Sequence, residues 1–373
     1  VEEIVTLIEK HKVGGTCLNY GCIPTKALYH NAKHIKDLKL IDEFGISIDQ
    51  FSIDNDVIKS RKETIVSNQI NNIRTSLMKA GVELIEGTGE IVSPTIVSVN
   101  GTEIATKHIV IATGSVPSKI QFEGDDFDIV HTSKDILSLE EWPKEMVIVG
   151  AGVIGCEMAG MFNQLGSNVT VIEYLDEILP PLDKDIKKRA RNLYKRQGIT
   201  MYTKSAFKRV IKEEDGYLAV FEQKGKEIEI PTDYVLLSTG RVPNFGGINL
   251  EKLGIDFNKK GIIVNERKQT SIPNIYAIGD VNGELMLAHK ATYDGIKVVH
   301  HIVDHEANIH FDEVPSVVFT FPEIATVGKT EDQMSGDYRT NKYLFKTNAK
   351  AECLNETDGF VKLVVDEHDI LVG

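Results

Sequence analysis

Cysteine is scarce in this chain. Four in 373 residues are too few for a secreted disulfide scaffold. No apolar run approaches the roughly 18 residues that a membrane span requires, which excludes an integral membrane protein of the helical kind. Positive charge is the minority, 42 Lys and Arg against 55 Asp and Glu for a net −13. With no long basic block, neither nucleic acid nor an anionic membrane surface is an expected partner. No signal peptide opens the sequence, so the reducing cytoplasm is the expected location. No fixed-period repeat or low-complexity linker is visible. What remains is 42% hydrophobic and 26% charged, the balance of an ordinary globular protein. At roughly 150 residues per domain, two or three domains are expected.

Periodicity gives the order of elements. A short apolar strand ends at Glu9, and Gly14-Gly15 breaks it. Helical spacing runs from Cys22 to about Leu40 and from Asp56 to Lys79, the second with Ile58, Ile65, Ile70, Ile73 and Leu77 as its stripe. Strands are expected at Val82–Glu86, Thr95–Val99 and Lys107–Ile111, before a sharp turn at Ala112–Ser115. A new start appears at Met146–Val149, followed by a glycine-rich turn, a helix over Glu157–Leu165 and a strand Val169–Ile172 closed by Glu173. This reads as a βαβ unit of a parallel sheet. Short strands follow between Val210 and Glu222 and at Tyr234–Ser238, with a turn at Gly240–Asn244. Asn274 to Asp280 reads as a strand ending in an acid, Ala288 to about Val303 as a helix, and the segment after Pro315 as alternating strands.

In a reducing compartment a closely spaced cysteine pair needs a chemical reason. Cys17 and Cys22 have four residues between them, and Gly21 removes the Cβ that would resist the bend needed to join them. Pro24 suits the first turn of a helix. That puts Cys22 at a helix N-terminus, where unpaired amides and the dipole stabilise a thiolate, and Lys26 on the same face adds a cation. The pair reads as a redox-active dithiol with Cys22 the more acidic member. A zinc site is the weaker alternative because Cys156 and Cys353 are isolated, so no metal is expected. Inert core cysteines are the other, against glycine and proline neighbours.

Gly150-Ala151-Gly152-Val153-Ile154-Gly155 follows a strand and opens a helix, with Glu173 eighteen residues beyond Gly155. That context makes a dinucleotide fingerprint specific. Its glycines admit a pyrophosphate to a helix N-terminus, and Glu173 is placed to accept from a ribose 2′-hydroxyl. Tyr174 and Leu175 follow it, so no arginine waits for a 2′-phosphate and NAD is favoured over NADP.

The run GGTCLNYGCIPTK, residues 14–26, resembles the redox segment of the flavoprotein disulfide reductases, the FAD-dependent pyridine nucleotide-disulfide oxidoreductases, and the resemblance covers essentially the whole chain. It implies an α/β fold with two Rossmann-like nucleotide-binding domains, for FAD and NAD, and a C-terminal α+β dimer-interface domain. The expected bounds are 1–135 for the first part of the FAD domain, 136–244 for the NAD domain, 245–313 for a segment returning to the FAD domain and 314–373 for dimerisation. The resemblance implies FAD against Cys22, Cys17 as the interchange thiol, and Lys26 close to the flavin and paired with Glu157 where hydride crosses. Glu9, Gly15, Thr16, Gly89, Thr113, Gly114, Ser115, Gly279 and Asp280 are the further FAD-side residues it implies, and Gly240 a backbone contact on the NAD side.

Met286-Leu287-Ala288-His289-Lys290-Ala291 resembles the flavin-pyrimidine contact of the dihydrolipoamide dehydrogenase branch, with His289 expected to present its backbone amide. Phe321 to Gly328 resembles the start of the dimer-interface domain. The branch implies dihydrolipoamide as substrate, a homodimer, and a lipoyl-bearing acyltransferase subunit of a 2-oxo acid dehydrogenase complex as partner. The alternatives are a glutathione- or mercuric-reductase-like enzyme of the same architecture and a catalytically silent NAD-binding or redox-sensing protein. The family pattern also includes a first glycine-rich FAD fingerprint ahead of the Glu9 strand and a late histidine–glutamate pair. Neither occurs in these 373 residues, which reads as a sequence lacking both ends.

Overall fold

The computed structural model describes residues 4–304 and 313–373. The expected return segment 245–313 therefore runs into residues, 305–312, that lie outside the described ones. Two compact units emerge. Val1–Ala27, Val57–Ser118 and Arg241–Phe311 form the first, and Leu28–Asp56, Lys119–Gly240 and Asp312–Gly373 the second.

In the first unit, Thr6–Glu9 pairs in parallel with Glu83–Glu86, setting Glu9 opposite Glu86. Ile109–Ile111 pairs in parallel with Ile275–Ala277. Beside them Gly89–Ser93, Ile96–Val99 and Thr102–Ala105 form an antiparallel meander, of which only the middle strand was expected. Its second turn is Asn100-Gly101, both at positive φ (52° and 80°), the backbone that a two-residue hairpin with right-handed twist requires. Ile91, Ile109, Ile111, Ile262, Ile275 and Val281 are the centre of this unit's core. Each such side chain contributes about 1.5–3 kcal/mol by leaving water. The helix Asn55–Lys79 buries Ile58 and Lys62, while Ile65, Ile70, Ile73 and Leu77 are only half-buried.

Two expectations are corrected here. Gly240–Asn244 is not simply a turn: Arg241–Pro243 is a strand pairing antiparallel with Ser115–Pro117. Asp280 does not end a strand either, because the strand stops at Ala277 and a tight helical turn, Gly279–Asn282, carries the acid.

The second unit holds a five-stranded parallel sheet. Its order is Thr200–Tyr202, Asn168–Ile172, Glu145–Val149, Tyr234–Leu237, Val130–Thr132. Residues Val147, Ile148, Val171, Val235 and Leu236 are fully buried, the continuous apolar pattern of strands covered on both faces. The helix after the glycine-rich turn spans Val153–Leu165. It starts four residues before the expected Glu157, because Gly152 itself caps it. A second helix, Lys184–Arg196, was not expected; its Asp183 cap accepts from the Asp185 N–H at 2.9 Å. An antiparallel meander of Ser205–Glu213, Gly216–Gln223 and Lys226–Thr232 follows. Past residue 313 come the antiparallel pairs Ser316–Val318 with Ile324–Thr326 and Tyr338–Leu344 with Phe360–Asp366.

Candidate active site

Local backbone geometry brings the two cysteines together. Gly14 sits at φ 99°, and a Cβ there would meet Leu18 Cδ2 at 2.3 Å. The short helix Gly15–Tyr20 that follows carries Cys17. At Gly21 a Cβ would lie 3.1 Å from the Thr16 carbonyl oxygen, so glycine allows the chain to double back and start the 18-residue helix Cys22–Lys39. Asn19 staples the short helix to the preceding loop, donating to the Val13 and Gly15 carbonyls at 3.1 and 2.9 Å.

Both sulfurs are thiols, not joined in a disulfide. Cys17 is hydrogen-bonded to Cys22, and that bond, with burial and the charge on Cys22, pushes its pKa far above the ordinary thiol value against the pull of Lys26. Cys22 opens the 18-residue helix, where unpaired amides and the dipole favour a thiolate. Glu9 stands nearby in sequence at the end of its strand, its carboxylate accepting from the His11 N–H at 2.9 Å.

The same unit gathers most of the residues expected on the FAD side. Gly15 and Gly114 have positive φ, 59° and 68°, and open space where a side chain would project. Asn244 clamps the second of these turns. It accepts from Thr113 Oγ1 at 2.6 Å, returns a bond to the Thr113 carbonyl at 3.2 Å and donates its own N–H to Gly114 at 2.9 Å. The Ser115 hydroxyl donates to Asp280 Oδ2 at 2.5 Å and accepts from Arg241 Nε at 2.8 Å, while Arg241 also donates to the Ser115 carbonyl at 2.7 Å. Burial holds the Arg241 pKa below its ordinary value, opposed by the charges of Asp280 and Cys22. Sequence reading missed Arg241 and Asn244, although both lie in the Gly240–Asn244 segment already singled out.

Met286 and Leu287 lead into the helix Ala288–Ile302, which has no side-chain cap. Ala288 and His289 thus sit among its first N–H groups, which have no intrahelical acceptor. The His289 ring meets Tyr293 edge-on at 6.3 Å. Gly89 serves close packing: a Cβ there would lie 3.3 Å from Ile8 Cγ2. Gly279, at φ 67°, would put a Cβ 2.8 Å from that of Ala291. Open glycine turns and a helix N-terminus are what an FAD diphosphate and flavin edge require, and these residues fit the group.

In the second unit the glycine fingerprint divides its tasks. A Cβ at Gly155 would fall 2.0 Å from the Gly150 carbonyl oxygen, and one at Gly150 would fall 2.6 Å from that of Ser238. Those two glycines permit helix, turn and sheet to touch. Gly152 has nothing within 4 Å of its missing Cβ, so the space a pyrophosphate would take stands open at the head of Val153, Ile154 and the rest of the helix. Glu173 is buried and accepts from the Ala151 N–H at 2.5 Å and the Leu175 N–H at 2.7 Å. Each oxygen keeps a lone pair for a ribose hydroxyl. Gly240, at φ 109°, likewise borders open space. The residues fit a dinucleotide. Glu157 accepts from the Phe319 N–H at 2.8 Å. Cys156 is buried, its thiol pushed up to about 12 by desolvation, and Cys353 is exposed. Among the described residues no group of three or more His, Cys, Asp or Glu could hold a metal ion.

Residues 2–295 match the family of pyridine nucleotide-disulphide oxidoreductases, and residues 314–373 match its dimerisation domain. The chain belongs to this family. It is 38% identical to the dihydrolipoyl dehydrogenase of Bacillus subtilis over 99% of its length and 82% of the relative's. It is also 38% identical to the mitochondrial dihydrolipoyl dehydrogenase of Pisum sativum, covering 76% of that protein. Among solved structures it resembles LpdA from Mycobacterium tuberculosis, with a TM-score of 0.90 and 26% identity over 99% of this chain and 83% of that one. The fold is accordingly the α/β architecture expected, with its dimerisation domain. The dihydrolipoyl dehydrogenases of the family use FAD and NAD. No described helix is long and apolar enough to cross a membrane.

Proposed function

We propose that this chain is a dihydrolipoyl dehydrogenase that oxidises dihydrolipoyl groups through the Cys17–Cys22 pair and FAD and passes hydride to NAD. The observation that carries the reading is the hydrogen-bonded Cys17–Cys22 pair, with Cys22 opening the helix Cys22–Lys39. In the oxidised pair, one substrate thiolate attacks Cys17 Sγ. The S–S bond breaks and Cys22 leaves as a thiolate, which the helix N-terminus and Lys26 stabilise. The second substrate thiolate then displaces Cys17 from the mixed disulfide, closing the lipoyl disulfide. Cys17 takes up one proton, as its raised pKa requires, and two electrons now rest on the pair. Bound FAD supplies the two-electron relay between this pair and NAD.

Around that step, Glu9, Gly15, Thr16, Gly89, Thr113 to Ser115, Gly279, Asp280 and Met286 to His289 are assigned to FAD. Gly150 to Gly155, Glu173 and Gly240 are assigned to NAD, and Glu157 to the hydride path. On this reading the FAD domain is the first unit and the NAD domain lies within 119–240, not the expected 136–244, because Val130–Thr132 belongs to the fingerprint sheet and Arg241–Pro243 pairs with Ser115–Pro117. The protein works as a homodimer in the cytoplasm. Its macromolecular partner is the lipoyl-bearing acyltransferase of a 2-oxo acid dehydrogenase complex. The test is to assay dihydrolipoamide with NAD beside NAD(P)H-dependent reduction of glutathione disulfide and of mercuric ion. Turnover of dihydrolipoamide alone supports the reading; preference for either other substrate overturns it.

A further inference from the structure

Behind the turn that carries Asp280 lies a buried cluster of charges that no step above uses. Asp294, on the helix Ala288–Ile302, has a side chain only 3% exposed. Its Oδ2 accepts from the Gly279 N–H at 3.2 Å and from Asn282 Nδ2 at 3.3 Å. Its Oδ1 accepts from Lys290 Nζ at 2.5 Å, with Lys268 Nζ at 3.6 Å. Glu284 completes the group, bonded to Lys268 at 2.5 and 2.7 Å and to Lys290 at 3.0 Å. Two cations and two carboxylates balance, with Glu284 at the solvent edge and Asp294, Lys268 and Lys290 largely buried behind it.

The cluster grips one piece of backbone. Asn282, besides meeting Asp294, donates to the Ala277 carbonyl at 3.3 Å and accepts from the Glu284 N–H at 3.1 Å. The helix rests on Gly279 so closely that a Cβ there would approach Ala291. One carboxylate therefore fixes both the N–H of Gly279, the residue before Asp280, and the helix whose first residues are Ala288 and His289. Every group facing Asp294 is a donor, on both of its oxygens. Only a carboxylate offers acceptors on both sides; an amide would turn an N–H toward donors whichever way it faced.

Building on the FAD assignment above, we propose that Asp294 is a positioning residue for the flavin cofactor. It holds the Gly279–Asp280 turn and the start of the helix Ala288–Ile302 in register, with Lys268 and Lys290 as its counter-cations.

The test is FAD binding to the flavin-stripped chain, followed by flavin fluorescence, with NAD affinity measured alongside. Asp294→Asn should weaken FAD binding roughly 10- to 100-fold, the range for a hydrogen bond to a charged group, and leave NAD affinity unchanged. In an Asp280→Asn background the same substitution should lose most of its effect, because coupled residues are not additive. Should Asp294→Asn fail to fold, Lys268→Gln removes one counter-cation and should weaken FAD binding in the same direction while sparing NAD. Unchanged FAD affinity, a parallel fall in NAD affinity, or full additivity with Asp280→Asn overturns the proposal. A wild-type chain that takes up no FAD overturns the flavoprotein reading itself, and this proposal with it.

Discussion

The Glu173 carboxylate reaches from the end of one strand into the glycine-rich turn and accepts the Ala151 N–H at 2.5 Å. Its other oxygen holds the Leu175 N–H at 2.7 Å. One acid thus shapes the loop that would receive a pyrophosphate and keeps acceptor capacity for a ribose. Buried acids otherwise incur a desolvation penalty, and two backbone donors offset it here.

Glu173→Gln should weaken NAD binding by about 1–3 kcal/mol, since an amide cannot accept on both sides and a hydrogen-bonding group is left unpaired. Discrimination against NADP should shrink, because a carboxylate no longer repels the 2′-phosphate. Calorimetric titration with both nucleotides checks this. Binding of both as in the wild type would reduce Glu173 to a loop fastener and remove the main argument for NAD.

Cys17→Ser and Cys22→Ser should each abolish dihydrolipoamide turnover while NADH-to-dye electron transfer survives, because only the thiol half-reaction needs sulfur. The two variants should also differ. With Cys17 gone, Cys22 remains as the sulfur at the helix N-terminus and should react with a thiol reagent at lower pH than Cys17 does in Cys22→Ser. Equal loss of both activities would mark the pair as structural.

Two glycines of the fingerprint should separate by phenotype. Gly155→Ala drives a Cβ to 2.0 Å from the Gly150 carbonyl, where backbone must move, so a lowered Tm is expected. Gly152→Ala places a Cβ with no described atom beyond the adjoining residues within 4 Å and should fold normally, yet fill space the pyrophosphate needs and lose NAD affinity. Thermal melts with NAD titrations distinguish the two. A Gly152→Ala chain that binds NAD normally would show that the open space is not the phosphate site.

What the sequence made readable was chemistry confined to neighbours along the chain. The cysteine pair, the fingerprint and Glu173 announce themselves because each needs particular residues within a few positions, or at one loop's spacing. Arg241 and Asp294 were missed for the opposite reason. Arg241 takes its meaning from Ser115, 126 residues away, and Asp294 from a turn on another element. In a window, each is one more charge on a strand or helix. The helix Lys184–Arg196 was missed although Ile186, Ala190, Leu193 and Tyr194 recur at helical spacing; only Ala190 and Tyr194 are buried, and the surrounding lysines and arginines mask so narrow a stripe. The strand before Asn100-Gly101 was expected, but its partner Thr102–Ala105, signalled by that dipeptide, has only four residues, too few for alternation to register.

Acid should loosen the second unit through one cluster. Glu331 accepts from Lys362 Nζ at 2.5 Å and from Lys184 Nζ at 2.9 Å. Those bonds hold its pKa down at about 2, against an ordinary 4.5. A carboxylate whose pKa falls on folding stabilises the native state above its unfolded pKa, and that contribution disappears as pH drops through the folded one. The window is therefore from about 4.5 down to about 2. Lys362 itself is raised: burial opposes its charge, but Asp185, Glu331 and Asp183 more than compensate. That gain comes from the carboxylates themselves, so in acid it is lost with their charge and is not a separate contribution. Urea unfolding of the wild type at pH 6 and pH 3 should show a fall in midpoint. Glu331→Gln should start lower at pH 6 and fall less. If the two proteins lose stability in parallel between those pH values, solvent and salt screen the pair, and Glu331 is not what ties residues 331 and 362 to the start of the helix Lys184–Arg196.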